Sequence, residues 1–345
     1  MKKTIVFSAA LAALLMVIGS CSRGERLSIY NWSYYTPHSV IEQFEKEFGI
    51  RVVYDEFASN EEMYAKLRAG GSGYDIIFPS QDYTSIMIKQ GMLERLDKSL
   101  LPNIRNLDPV MLQKITYDPD LEYSVPYYWG LAGIIVNKAM VPDYEESWSI
   151  FARSDLNGRM TMLDDMREVM GGALAYLGFS VNTKDIAEIE AAREHILIHW
   201  RPNLAKFDGE TFGKGYANGD FWVVHAFPEA VFEEIADNEQ LMRDTVFFIP
   251  PGGPAYIDNM VILRNSKNRE LAHKFMNFIH RPEIYAEFAD TFGFPATANV
   301  PARELKQGPS WYKIEDLFGR DLTEDLGETL SLYHDAWFNS IRIGN

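Results

Sequence analysis

Three short segments of this chain set aromatic rings beside carboxylates: Asn31-Trp32-Ser33-Tyr34-Tyr35, Asp164-Asp165-Met166-Arg167-Glu168 and Tyr256-Ile257-Asp258. None brings an obvious nucleophile. Rings plus carboxylates suit a cation with a hydrocarbon body. Carboxylates pair with ammonium groups, while aromatic faces pack on methylenes and add cation–π attraction of roughly 0.5–2 kcal/mol each. An anion site would instead present bare helix N-termini and basic side chains. Each segment also has a purely structural explanation. Asp165-x-x-Glu168 has the spacing of an aspartate-capped helix start, and both roles can coexist because i and i+3 share a helix face. Trp32, Tyr34 and Tyr35 could close the core beneath a loop, and Asp258 could serve an ion pair between two parts of the fold.

Other spacings carry less chemistry. His195-Ile-Leu-Ile-His199 has the i, i+4 separation of metal ligands, but it lacks the glutamate of a zinc protease motif and an evident third ligand. Gly70-Gly-Ser-Gly73 reads as a turn needing positive φ rather than a nucleophile elbow, since a strand follows it. Asp165 and Glu168 form an acid/base pair on paper, yet no nucleophile, metal set or phosphate loop supports an enzyme. No cofactor and no metal are expected.

The elements that must position these residues follow from periodicity. Leu27 to Tyr30 reads as a strand. Thr36-Pro37 reads as an N-cap with proline at the first helical position. Val40, Ile41, Phe44 and Phe48 then mark one helix face, and Gly49 ends it. Arg51 to Phe57 alternates as a strand, and Ser59-x-x-Glu62 is a capping box opening a helix through Arg68. Tyr74 to Phe78 is an apolar strand, followed by a helix from about Tyr83 to Gln90. This alternation implies βαβ units and a mostly parallel sheet. Two later stretches, Tyr128 to Asn137 and Tyr256 to Leu263, read as strands crossing between two lobes. Between them lie helices near 167–178, 185–200 and 228–238 and a strand near 221–226, which implies a second α/β lobe inserted into the first. Ligands on open α/β sheets bind outside the carboxyl ends of strands. The first segment follows the first strand, the second follows Arg159 to Leu163, and the third lies at the return crossing.

The chain begins Met-Lys-Lys, continues without charge from Thr4 to Ser20, and reaches its single cysteine at Cys21 after Val17-Ile18-Gly19-Ser20. A basic start, an apolar run and small residues at the cut are the parts of a secretory leader. A cysteine directly after them resembles a bacterial lipobox, in which the thiol is acylated and anchors the chain to a membrane. About 325 residues would then remain, enough for two lobes. Losing Lys2 and Lys3 would take the net charge from −16 to −18. Such a balance disfavours nucleic-acid binding, and an acylated Cys21 would leave no thiol for disulfides or Cys-ligated metal.

Several stretches, in order, resemble the periplasmic polyamine-binding proteins of ABC importers, the spermidine/putrescine-binding group. They are Tyr30-Asn-Trp-Ser-Tyr-Tyr35, Ser59-Asn-Glu-Glu-Met-Tyr-Ala-Lys-Leu67, Tyr74-Asp-Ile-Ile-Phe-Pro-Ser80, Asn106-Leu-Asp-Pro109, Val125-Pro-Tyr-Tyr-Trp-Gly130, Leu163-Asp-Asp-Met-Arg-Glu168 and Gly293-Phe-Pro295. The resemblance runs from about Leu27 to about Asn299. It implies the type II periplasmic-binding-protein fold, with two α/β lobes joined by crossing strands. It places lobe 1 at 21–132 plus about 258–298 and lobe 2 at 133–257 plus about 299–345, after a leader over 1–20.

The resemblance also implies a monomer that captures a polyamine, spermidine or putrescine, and delivers it to an ABC permease. Trp32 and Tyr256 would wall the methylene chain, Asp258 and Glu168 would hold one terminal ammonium, and Asp165 would take an inner or second amine. Ser33, Tyr35 and Ser80 would line the first lobe's edge. Asp82 falls where spermidine-selective members carry an aromatic, where it could favour a longer amine or pair with a protein cation. Phe227 falls at a tryptophan wall, Phe294 matches an aromatic position, and Thr323 is a weak match for the polar residue at the far amine. Proteins of this type also bind ferric iron through tyrosine pairs, or other organic cations. Tyr34-Tyr35 and Tyr127-Tyr128 keep iron as the alternative.

Overall fold

The computed structural model describes residues 25–33, 35–71 and 73–343; the leader, Cys21 and Tyr34 lie outside the described residues. Two five-stranded sheets form the two lobes. The first sheet contains β1 (Arg26–Trp32), β2 (Arg51–Phe57), β3 (Ile76–Ile77) and β4 (Ser124–Gly130). The second contains β5 (Gly133–Asn137), β6 (Met160–Met162), β7 (Leu204–Phe207), β8 (Val223–Ala226) and β9 (Thr245–Phe248). The chain then returns to the first sheet as β10 (Tyr256–Ile262). The strand orders are β2-β1-β3-β10-β4 and β7-β6-β8-β5-β9. Both sheets are mixed. β1 runs parallel to β2 and β3, while β10 is antiparallel to β3 and β4. β6 runs parallel to β7 and β8, while β5 is antiparallel to β8 and β9. The one strand of each sheet that runs against the others, β10 or β5, is the one by which the chain enters that lobe from the other.

The first helix, His38–Phe48, buries Val40, Ile41 and Phe44, and Gly49 ends it at φ 66°. The Phe44 ring meets Phe275 and Phe278 edge-on at 5.0 and 5.3 Å, which fixes the helix against the first lobe's core. Thr36 does not cap this helix: Pro37 is the N-cap residue and no side chain closes the turn. The Thr36 hydroxyl is used elsewhere, accepting from Asn31 Nδ2 at 3.0 Å and lying 3.0 Å from the Tyr127 hydroxyl. Ser59 does cap the helix Asn60–Arg68, accepting from the Glu62 amide at 3.2 Å. Glu62 reaches back one residue further than a capping box requires, to the Ala58 amide at 3.1 Å.

The apolar stretch from Tyr128 to Asn137 is not one strand. It breaks at Leu131–Ala132 into β4 and β5, each in a different sheet. Glycines at the break let side chains of the neighbouring strand in each sheet pack directly over the backbone. A Cβ on Gly133 would lie 2.5 Å from the Phe247 ring and 2.7 Å from the Phe248 carbonyl oxygen. Gly133→Ala is therefore expected to destabilise the fold by about 1–3 kcal/mol, read as a lower urea midpoint at unchanged slope. An unchanged midpoint would mean that the Phe247 ring gives way freely.

The return crossing is residues 249–255, ahead of β10, which pairs only within the first sheet. A third connection, 318–326, runs beside it through a parallel bridge between Ala255 and Leu322. This connection corrects the expected boundaries. Tyr256 and Ile257 begin β10 of lobe 1, and Ala302, Tyr312 and Leu317 join lobe 1's core. Trp311 stacks on Phe232 of lobe 2 at 3.6 Å, but from Leu326 onward the chain joins a lobe 2 core outright, through Tyr333, Trp337 and Ile341. Ala302, Tyr312 and Leu317 bury against the helix Pro282–Phe292 and its neighbours, so the main chain does not cross at Asn299.

Candidate ligand-binding cleft

A cavity of about 430 Å³ lies between the lobes, with walls from both. Lobe 1 supplies Trp32 and Ser33 from the end of β1, Ser80 and Asp82 at the start of the helix Gln81–Lys89, and Tyr256 and Asp258 from β10. Tyr35 also lines it. Lobe 2 supplies Asp165 and Glu168 at the start of the helix Met166–Tyr176, and Phe227 before the helix Pro228–Ile235. Thr323 reaches it from the third connection. Phe294 does not line it. Its ring is buried in lobe 1's core, stacked on Tyr128 at 4.3 Å. An aromatic position in sequence does not reveal which face of the core the ring will fill.

Local structure explains the placements. Asp165 caps its helix, accepting from the Glu168 amide at 3.0 Å, so capping and cleft-lining do coexist there. Trp32 is held by its indole N–H, which donates to the Phe78 carbonyl at 2.8 Å, and by a tilted contact with Phe57 at 4.6 Å. Tyr256 and Phe227 meet edge-on at 5.6 Å and form an aromatic wall shared by the two lobes. Asp258 accepts two short hydrogen bonds, from Tyr35 and Ser80, each at 2.6 Å. Ser80 is braced in turn by Asn60, whose Nδ2 lies 3.1 Å from its Oγ.

The electrostatics are strongly one-sided. Among the described residues, eight carboxylates line the cavity against two basic side chains, Arg167 and Lys214. Burial pushes the Asp258 carboxyl up to about 7, even though its hydroxyl donors favour the charged form. Burial, with Asp165 nearby, also pushes Glu168 well above the usual carboxylate range. The His225 ring is 3.7 Å from Glu168, but burial lowers it to about 3. A neutral imidazole gives Glu168 no countercharge. Asp82 is different: Arg167 Nη1 lies 3.8 Å from its carboxylate, and both side chains are buried. Arg167 also donates to the Glu324 carbonyl and to Asn182 Oδ1, at 2.9 and 2.8 Å. Of the two roles open to Asp82, the geometry fits the partner of a protein cation.

Four carboxylates that sequence reasoning missed line the same cavity: Glu56, Glu210, Glu61 and Glu229. Glu61 is pushed up to about 7 by burial and by Asp165. Glu229 is pushed up to about 8 by burial. Glu61 and Glu229 each stand in the first turn of a helix, where acidic residues are common for dipole reasons alone. A usable signal was present for Glu61, which sits inside the Ser59–Leu67 stretch. Of the two tyrosine pairs, Tyr34-Tyr35 falls partly outside the described residues, and Tyr127-Tyr128 does not line the cavity. Tyr127 and Tyr128 are buried in the core, where Tyr127 donates to the Tyr35 carbonyl and Tyr128 pairs with the Tyr312 hydroxyl. His195 and His199 pack ring to ring at 4.8 Å on the outer helix, beside Tyr176 and Trp200.

Two α/β lobes joined by three chain crossings around a deep acidic and aromatic cleft define a two-lobed solute-binding protein. The chain belongs to the bacterial extracellular solute-binding protein family, whose model matches residues 39–313. It is 36% identical to the spermidine/putrescine-binding periplasmic protein of Salmonella typhimurium, over 98% of each chain. It is 31% identical to the putrescine-binding periplasmic protein PotF of Escherichia coli, over 92% of this chain and 91% of that one. The crystal structure of the TpPotD lipoprotein of Treponema pallidum superposes with a TM-score of 0.88 at 47% identity, covering 91% of this chain and 99% of that one.

Proposed function

We propose that this protein captures a polyamine, spermidine or putrescine, between its lobes and hands it to the permease of an ABC importer. The observation that carries this reading is a cluster of carboxylates, the buried Asp258 and Glu168 and the half-buried Asp165 and Glu61, in a cleft where the one buried cation among the described residues, Arg167, pairs with Asp82. Burial of like charges is costly unless a countercharge arrives. Protonated amines provide it, and Trp32, Tyr256 and Phe227 offer apolar faces to the methylenes between them. The named relatives are polyamine-binding proteins, which supports the same ligand class. Cys21 would carry the lipid anchor that holds a monomer at the membrane. The lipobox spacing supports this, and the Treponema relative is itself a lipoprotein.

The test is calorimetric titration of the chain from residue 22 onward with putrescine, cadaverine, spermidine and spermine, after unfolding and refolding to strip retained ligand. Tight one-to-one binding of at least one amine is expected. Silence with all four would sink the reading. Binding should also depend on pH. A cationic ligand selects ionised carboxylates, and Asp258 and Glu61 ionise near 7. Affinity should therefore rise from pH 5.5 to pH 8, by roughly tenfold or more in total, as binding ceases to require proton loss. A pH-independent affinity would mean that these groups stay clear of the ligand.

A further inference from the structure

The Glu229 carboxyl is more than nine-tenths buried, at 8% exposure, and lines the cleft from lobe 2. Its Oε2 has no hydrogen-bond partner among the described residues. A buried carboxylate oxygen without a donor is rare enough to need an explanation. The charged groups acting on Glu229 are two more carboxylates, Asp258 on β10 and Glu233 on its own helix. The other titratable groups that feel it are the tyrosines 128, 256 and 312. Lys214, on the neighbouring helix Phe212–Ala217, lines the same cavity but is not among the groups acting on it. Asp82 has Arg167 as its countercharge; Glu229 has nothing equivalent.

We infer that Glu229 is a ligand-pairing carboxylate, placed opposite Asp258, that makes the cleft prefer amines with three or four positive charges over diamines. The inference rests on the polyamine reading above. Each uncompensated carboxylate in a closed cleft needs either a proton or a ligand charge. A diamine brings two charges and leaves Glu229 to keep its proton. A triamine or tetraamine brings a further nitrogen that can displace it. The ligand's charge count is then read by an acid on lobe 2, and Asp82 takes no part in that reading.

The test compares wild type with Glu229→Gln and Glu229→Asp, titrated with putrescine, spermidine and spermine in two buffers of different ionisation enthalpy. The buffer pair reports protons released on binding. Glu229→Gln is expected to bind spermidine and spermine at least about tenfold more weakly, putrescine within about threefold of wild type, and to release fewer protons with the higher amines. Glu229→Asp retains a charge at this position and should keep the preference; it also serves if the amide variant fails to fold. Unchanged spermine affinity, or equal loss for putrescine and spermine, would overturn the inference while leaving polyamine capture intact. Wild-type silence with every amine would overturn both.

Discussion

Asp258→Asn should weaken polyamine binding by roughly 30-fold to several-thousand-fold, the equivalent of about 2–5 kcal/mol for removing one partner of a buried charge pair. Asp258 is 4% exposed, and both its oxygens are already oriented by Tyr35 and Ser80 at 2.6 Å. An amide in its place can accept from only one of these hydroxyls and carries no charge. The folded protein should tolerate the change, because the exchange removes one of several mutually repelling carboxylates. A melting temperature near wild type, together with a large loss of affinity by calorimetry, is the expected result. Binding as tight as wild type would remove Asp258 from the site.

Arg167→Met should lower stability by about 3–5 kcal/mol at pH 8, because it leaves Asp82 buried with no countercharge. The direction with pH separates this cause from lost packing. Asp82 is already pushed up to about 6 by burial with Arg167 present, and unfolded aspartate ionises near 4. A folded-state carboxyl raised above its unfolded value favours the fold at low pH and loses that contribution as pH rises through its folded value. Without Arg167 the carboxyl rises further, so the deficit should be largest at pH 8 and smaller at pH 5. Urea midpoints at the two pH values measure it. Equal deficits would assign the loss to the hydrogen bonds from Arg167 to Glu324 and Asn182 rather than to Asp82.

The sequence was most readable where one residue had to serve two masters. Asp165 and Glu168 announced themselves through capping geometry, and the same spacing delivers both to the cleft. Trp32 was legible because it ends β1, where open α/β sheets place ligands, and Asp258 because the return strand β10 runs antiparallel and so starts beside those carboxyl ends. What stayed hidden depended on long-range packing. Whether Tyr128 to Asn137 is one strand or two is decided by partners in different sheets, β10 and β8, more than a hundred and about ninety residues away. Phe294 and Tyr256 look alike as aromatics, yet one stacks inside the core and the other faces the cavity. The split of the C-terminal segment between lobes followed from where Tyr312 and Tyr333 find apolar surface, which no local pattern records.

The contact between Asp82 and Arg167 spans the two lobes using groups of the protein alone. It therefore favours the shut form whatever the cleft contains. The crowd of carboxylates around it pulls the other way until cations arrive. Apparent affinity for a ligand scales with the fraction of molecules in the competent form, so this one ion pair tunes how much of the binding energy is consumed in shutting the molecule. It also bears on traffic at the membrane. A transporter that recognised only the shut outline would be visited by idle carriers in proportion to that fraction. Strengthening the pair would raise apparent affinity and futile docking together, and weakening it would lower both.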